Sequence, residues 1–309
     1  MANSLPVKRA LLAVKVLVTL LFAGYLVGGK AVSRDGLTRA FTGADPFWLA
    51  LSCVAALLAL IVGTVRWHGF LNAGELSPAW SESAQSFLGG ALLGLLSPGR
   101  SGEFARGMFL DGLPLKQTAL ITVAEKVYFT FFIFLFGAVG AFGSAGMLAR
   151  ILGVSAWIPV ALLVLLAFQL AWIVRRGRAI RFRRLFSAMP EVPGSRLHLL
   201  SLSNLVYLLM VVQLYFILNA FQPVKMSTVF VTLSLSLIVM TFFPFSLGNL
   251  GVRESCFMAL LSVLQGVPAE TAVSAGLIFF VQNVLVPAGL GVPAEFIRLR
   301  KKAGSKQES

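Results

Sequence analysis

Long apolar windows recur along the chain, separated by short polar stretches. A helix that crosses a bilayer needs about 20 mostly apolar residues. Windows of that kind fall at about 10–29, 47–65, 119–142, 155–174, 197–221 and 271–292, and each predicts a full crossing. Two further windows, 84–112 and 228–266, are apolar but interrupted near their middles by Pro, Gly and charge, in "LLSPGRSGEFARGMFL" and "FFPFSLGNLGVRESCFMAL". Each of these predicts a broken, re-entrant helical hairpin. The expected fold class is therefore an all-α polytopic membrane protein with six full crossings and two broken hairpins.

Composition agrees with that pattern. Of 309 residues, 58% are hydrophobic and 12% charged, with a mean hydropathy of +0.87. An ordinary soluble domain carries roughly 25% charged residues, so a water-facing surface cannot be built from this chain. One transmembrane domain over 1–295 is expected, with half one at about 47–142 and half two at about 197–292, followed by a basic tail over 296–309. The basic start (Lys8, Arg9, Lys15) before the apolar run Val16 to Val27 imitates a signal peptide, but the spans that follow favour an uncleaved first helix.

A net charge of +14 invites a nucleic-acid reading, but the basic residues flank apolar runs instead of forming a stripe interleaved with exposed aromatics. They follow the positive-inside rule. Arg175, Arg176, Arg178, Arg181, Arg183, Arg184 and Arg196 form the densest basic loop, and the tail adds Arg298, Arg300, Lys301, Lys302 and Lys306. Both belong in the cytoplasm with the N-terminus, which requires each broken region to enter and return on one side. Lys30, Arg34 and Arg39, in the linker 30–46, then lie outside as a mild violation. Anionic lipid is the natural partner of this charge, at about 1 kcal/mol per residue near the surface.

Other chemistry is sparse. Cys53 and Cys256 sit in or beside apolar stretches and predict packing, with no disulfide framework. His68 and His198 fit no metal-ligand spacing, so no metal or cofactor is expected. Gly24 and Gly28 form a GxxxG face for helix packing, and Asn204, Gln213, Gln282 and Asn283 suit interhelical hydrogen bonds. Trp48, Trp67, Trp157 and Trp172 lie near span ends and read as interface anchors.

A local repeat gives the pattern an architecture. "GLPLKQTA" (Gly112 to Ala119) follows the first broken region, and "GVPAETA" (Gly266 to Ala272) follows the second. Each opens a long span, and under the charge-derived topology the two units are inverted. Paired broken segments in corresponding halves are a sequence pointer to a transporter's binding site.

The breaks carry most of the charge placed at membrane depth. In Ser97-Pro98-Gly99-Arg100-Ser101-Gly102-Glu103, Pro98 lacks an N–H and Gly99 and Gly102 admit unusual backbone angles, so a helix should stop and restart near Ser101. Restarted amides suit an anion such as a phosphate, and Arg100 and Arg106 add forked donors. Glu103 predicts an Arg–Glu pair that fixes the break. The second break, Pro244 through Gly248 and Gly251, ends in Arg253-Glu254 and repeats that chemistry. Irregular backbone at this depth must face protein or a water-filled cavity, so the two breaks are expected to face each other. Glu125 and Lys126 lie inside a span and point about 100° apart, so each needs a further partner, with Arg100, Glu103, Arg253 and Glu254 as candidates.

These motifs, "SPGRSGEFAR", "AEKVYF", "PFSLGNLGVRE" and the final "VPAGLGVP", resemble the lysylphosphatidylglycerol synthase transmembrane region family, also called the flippase-like domain family. Its members include the lipid-translocating membrane part of the multiple peptide resistance factor. The similarity runs from the first span to about residue 295. It implies a multi-pass inner-membrane protein that moves, or helps move, a phosphate-bearing glyco- or phospholipid between leaflets. The family pattern falls on Pro98, Gly99, Arg100, Gly102, Glu103, Arg106, Glu125, Lys126, Pro244, Gly248, Gly251, Arg253 and Glu254. The soluble aminoacyltransferase domain of the two-domain members is not expected, and lysyl-lipid synthesis is not assigned.

A lipid flippase or transporter is the leading expectation, with Arg100, Glu103, Arg106, Glu125, Lys126, Arg253 and Glu254 binding the headgroup of an anionic phospholipid or polyprenyl-phosphate lipid. The alternatives are a membrane-embedded lipid-phosphate transferase or phosphatase, with Glu103 or Glu125 as base, and a non-transporting subunit of a cell-envelope synthesis complex. Homo-oligomerisation is left open. No nucleophile stands beside a base in the sequence, and no P-loop is present, so neither catalysis nor direct ATP use is expected.

Overall fold

The computed structural model describes residues 42–74, 76–97, 100–110, 112–144, 193–243 and 249–293, together with a few isolated positions between 35 and 168. The expected span 10–29, most of 155–174, Gly24, Gly28, Trp157, Trp172, the basic loop before residue 193 and the tail lie outside the described residues. So do Pro98, Gly99, Pro244 and Gly248.

Every described element is helical. In chain order they are α1 (Pro46–Ala73), α2 (Trp80–Leu95), a 3₁₀ segment (Ser101–Phe109), α3 (Leu115–Gly143), α4 (Pro193–Asn219), α5 (Met226–Phe242), α6 (Val252–Gln265) and α7 (Ala269–Phe280). A π-turn (Val281–Leu285) carries α7 onward, and the continuous helix reaches Pro293. Among the described residues, four helices are long and apolar enough to cross a bilayer: α1, α3, residues Leu197–Asn219 of α4, and Ala269–Pro293. They match the expected windows at 47–65, 119–142, 197–221 and 271–292.

α1 shows why such a helix suits lipid. Pro46 occupies its first turn, where a missing N–H costs nothing, and the Asp45 side chain accepts from Phe47 N–H at 2.8 Å. Val54, Leu57, Leu58 and Ile61 form an exposed apolar stripe at helical spacing, while Ser52, Ala55, Ala59, Gly63 and Arg66 are buried on the opposite side. Between Ser52 and Gly63 the larger side chains face outward and the small ones inward. That is the reverse of a soluble helix and is suited to a hydrocarbon solvent.

The broken regions resolve into short arms. α2 has 16 residues, about 24 Å at helical rise and short of the ~30 Å hydrocarbon core. It packs against the 3₁₀ segment that follows its break, and α5 likewise packs against α6.

The local repeat is also structural. Gly112 and Gly266 both take left-handed backbone, with φ of 73° and 65°, which a side chain would strain. Two residues on, Pro114 and Pro268 are the N-caps of α3 and α7. Each half thus runs long helix, short arm, break, short arm, long helix.

One large apolar cluster joins α3, α4, α5, α6 and α7 around Tyr207, Leu214, Leu233, Phe257 and Phe279. A smaller one, around Trp67, Phe70, Leu71 and Ile121, joins the end of α1 to the start of α3. Gln117 Nε2 donates to the Gly74 carbonyl at 3.1 Å across the same junction, whereas the other end of α1 meets the end of α4 through Asp45 N–H to the Ala220 carbonyl at 2.7 Å.

Candidate functional site

The chain resumes after the first break at Arg100, whose φ of 59° is left-handed. Glu103 and Arg106 follow at 3₁₀ spacing and so lie on one side of the segment. That side rests on glycines of α2. A Cβ at Gly90 would stand 2.3 Å from Arg106 Cγ, and one at Gly94 would stand 3.0 Å from Glu103 Cγ. Gly102 meets α2 from the other direction, since a Cβ there would stand 2.2 Å from the Leu93 carbonyl oxygen. Bare backbone on both partners is what lets an acid and a base lie flat between them.

Glu103 gathers three cations: Arg100 Nε at 2.5 Å, Arg106 Nη2 at 2.7 Å, and Lys126 Nζ from α3. Arg106 turns Nη1 to Glu125 Oε2 at 2.6 Å, and Arg66 Nη2 reaches Glu125 Oε1 at 2.6 Å. Arg66, Glu125, Arg106 and Glu103 thus form a buried chain of alternating charge whose formal sum is zero. Arg100 and Lys126 lie at its edge, with side chains 33% and 39% exposed, and add two positive charges. Aromatic faces complete the cage: Arg106 lies 4.9 Å from the Trp67 ring and 5.1 Å from Phe87, and Arg66 lies 5.4 Å from Phe129.

The second break restarts with Asn249 at φ 60° and Gly251 at φ 87°. Glu254 Oε2 accepts from the Gly251 N–H at 2.6 Å, while its Oε1 accepts from Arg253 Nε at 3.1 Å and Nη2 at 2.5 Å. Arg253 lies 5.1 Å from the Phe280 ring. This pair is neutral and buried.

Beside the first cluster lies a cavity of about 110 Å³, lined in part by Arg66, Arg100 and Arg106 and, among the described residues, by no carboxylate. Arg66 is 7% exposed, and its Nε and Nη1 have no hydrogen-bond partner among the described residues. The far side of the cavity comes from the second half, through Val206 and Met210 of α4 and Gln282, Asn283 and Pro287 of the last helix. The "SPGRSGEFAR" break packed on "AEKVYF" thus builds a cation-lined chamber inside apolar helices.

The chain belongs to the lysylphosphatidylglycerol synthase transmembrane region family. The family model matches residues 12–302, nearly the whole sequence. A search of curated proteins finds no match.

Of the residues that the family resemblance implies, Arg100, Glu103, Arg106, Glu125 and Lys126 converge on one cluster, held by Gly102. Glu125 and Lys126 do take separate partners, as their angular offset requires, but Glu125 takes Arg106 and Arg66 where Arg100, Glu103, Arg253 and Glu254 were expected. Arg253 and Glu254 pair with each other and do not line the arginine cavity, so the described residues do not bring both breaks to one chamber. Two readings change with α1, which continues past residue 65 to Ala73. Arg66 joins the site, and Trp67 is fully buried beneath Arg106 instead of anchoring at the interface.

Proposed function

We propose that this family member carries a phosphate-bearing lipid between the leaflets of the inner membrane. In this reading the phosphate enters the arginine-lined cavity while the hydrocarbon chains stay in the bilayer. The supporting observation is the cavity itself: among the described residues its wall has three arginines and no carboxylate, and two guanidinium nitrogens of a buried Arg66 find no hydrogen-bond partner. A phosphate's oxygens match forked guanidinium donors. Arg100, partly exposed at the break, is the first donor to reach, and Arg66 and Arg106 lie behind it.

The architecture we propose is six crossings and two re-entrant hairpins in inverted halves, with cytoplasmic termini. Two facts support inversion. The halves share an element order, and their short arms start from opposite ends of α1: the loop before α2 follows Ala73, whereas the loop before α5 begins at Ala220, bonded to Asp45. Rocking of one half against the other would then expose the cavity to each leaflet.

A lipid-phosphate enzyme is less well supported. Ser83 Oγ lies 2.8 Å from His68 Nδ1, but Ser83 is fully buried and lines no part of the cavity, so the pair serves as a polar link between α1 and α2. The deciding test is reconstitution into liposomes with a fluorescent anionic phospholipid. Protein-dependent movement that is lost in Arg100→Ala supports transport. Phosphate release or group transfer in detergent, where there is only one compartment, would favour the enzyme.

A further inference from the structure

The cavity has a second polar end that the phosphate reading leaves unused. Gln282 and Asn283 lie in the π-turn Val281–Leu285, near the middle of the Ala269–Pro293 span. Pro287 follows four residues after Asn283, where its ring displaces the carbonyl of an ordinary α-turn, which accounts for the widened turn. π-turns of this kind concentrate at functional sites because they re-aim side chains.

The side chains so aimed form an amide cluster across three helices. Gln282 Nε2 donates to Ser52 Oγ of α1 at 2.8 Å, and Gln282 Oε1 accepts from Gln213 Nε2 of α4 at 2.7 Å. Gln213 Oε1 accepts from Asn283 Nδ2 at 3.0 Å, and the same Nδ2 donates to the Phe279 carbonyl at 2.9 Å. These bonds use Asn283 as a donor, and among the described residues nothing donates to its Oδ1. Asn283 lines the cavity and is partly accessible. On α1 the cavity wall between the amide end and Arg66 is formed by Ala56, Ala59, Leu60 and Gly63.

The geometry points to a second headgroup subsite at the Asn283 carbonyl, held in place by the Gln213 and Gln282 amides, which accepts a hydrogen bond from an uncharged hydroxyl of a polyol or sugar carried beyond the phosphate. This rests on the phosphate-binding reading and narrows it. The cationic end holds the anion, and the amide end, having no charge, discriminates by hydrogen bonding. A carboxylate there would trap an ammonium headgroup and would oppose the arginines' cargo. A neutral carbonyl lets an anionic headgroup pass towards the other leaflet while still rewarding a hydroxyl. A site built to bond a hydroxyl rejects the analogue lacking it, because its polar atom is left unpaired.

The test measures binding of short-chain lipids to the purified protein in detergent, by native mass spectrometry or a thermal-shift titration. Phosphatidic acid carries the phosphate alone, phosphatidylglycerol adds a diol and phosphatidylinositol a ring of hydroxyls. Wild-type protein is expected to bind phosphatidylinositol about tenfold more tightly than phosphatidic acid. Asn283→Ala should bring that ratio to about two or below while leaving phosphatidic acid binding unchanged, which also reports folding. Retention of the full preference in Asn283→Ala overturns the subsite. If that variant does not fold, the wild-type ratio decides, and equal affinity for the lipids overturns the proposal. Arg100→Ala, whose side chain is a third exposed and whose loss leaves the fold intact, should weaken all three lipids equally. If no lipid binds, or none responds to the arginine, the phosphate reading itself fails. Phosphatidic acid binding that depends on Arg100, without any polyol preference, removes the amide subsite alone.

Discussion

Arg106 and Glu125 meet at 2.6 Å, so the segment after the first break is tied to the span that follows it by a buried ion pair. The tie extends through Glu125 to Arg66, and so joins α1, α3 and the 3₁₀ segment at one carboxylate. Removing one partner of such a pair strands the others in low dielectric, at about 3–5 kcal/mol. Glu125→Gln should therefore lower the thermal midpoint of the purified protein sharply, and Glu125→Asp less. An unchanged midpoint for Glu125→Gln would show that the carboxylate does not hold these helices.

Arg100 behaves differently because its side chain is a third exposed. Exposed pairs contribute about 0–1 kcal/mol, so Arg100→Ala should leave the melting temperature within a few degrees of wild type. Lipid movement in liposomes should nevertheless fall at least tenfold, as expected when a charge-assisted contact to the cargo is lost. A variant that melts early and transports normally would reverse the assignment.

Two glycines give a steric prediction with an internal control. At Gly102 a Cβ would meet the Leu93 carbonyl at 2.2 Å, and a backbone atom cannot swing aside, whereas at Gly143 nothing lies within 4 Å. Gly102→Ala should cost roughly 1–3 kcal/mol by overpacking and reduce lipid binding by displacing Glu103. Gly143→Ala should be neutral. Comparing the two by thermal unfolding and lipid titration checks that the close approach, and not glycine content, is what matters.

Topology is open to chemical labelling. Ser77, before α2, and Lys225, before α5, are both exposed and flank opposite ends of α1. Single cysteines there, in a background lacking Cys53 and Cys256, should react with an impermeant maleimide from opposite faces of the membrane. Reaction of both from one face would remove the inverted arrangement.

The long helices were legible in the sequence because a hydrocarbon solvent demands unbroken apolar length, and Leu115–Gly143 begins where Gly112 and Pro114 announced it. The ends were less legible. A window scored on apolarity stops at Arg66, although no proline stands between Gly63 and Ala73 and the buried stripe Ser52, Ala59, Gly63, Arg66 continues at helical spacing. That spacing was the available signal, and following it would have recovered Arg66 and kept Trp67 out of the interface. The union of Glu103 with Lys126 was among the pairings expected for that span, but its selection over Glu254 depends on how the 3₁₀ segment packs against α3. Arg253 and Glu254 were recognisable as a pair, but sequence order carried no indication that Glu254 would bond the Gly251 amide and leave Arg253 outside the chamber.

Under the transport proposed above, the alternation of Arg66, Glu125, Arg106 and Glu103 bears on how the emptied protein resets. With two carboxylates already opposite its two deepest arginines, the chamber needs no cargo to remain intact. A protein that releases its load on one side must return unladen, and built-in counter-ions make that return journey tolerable in oil.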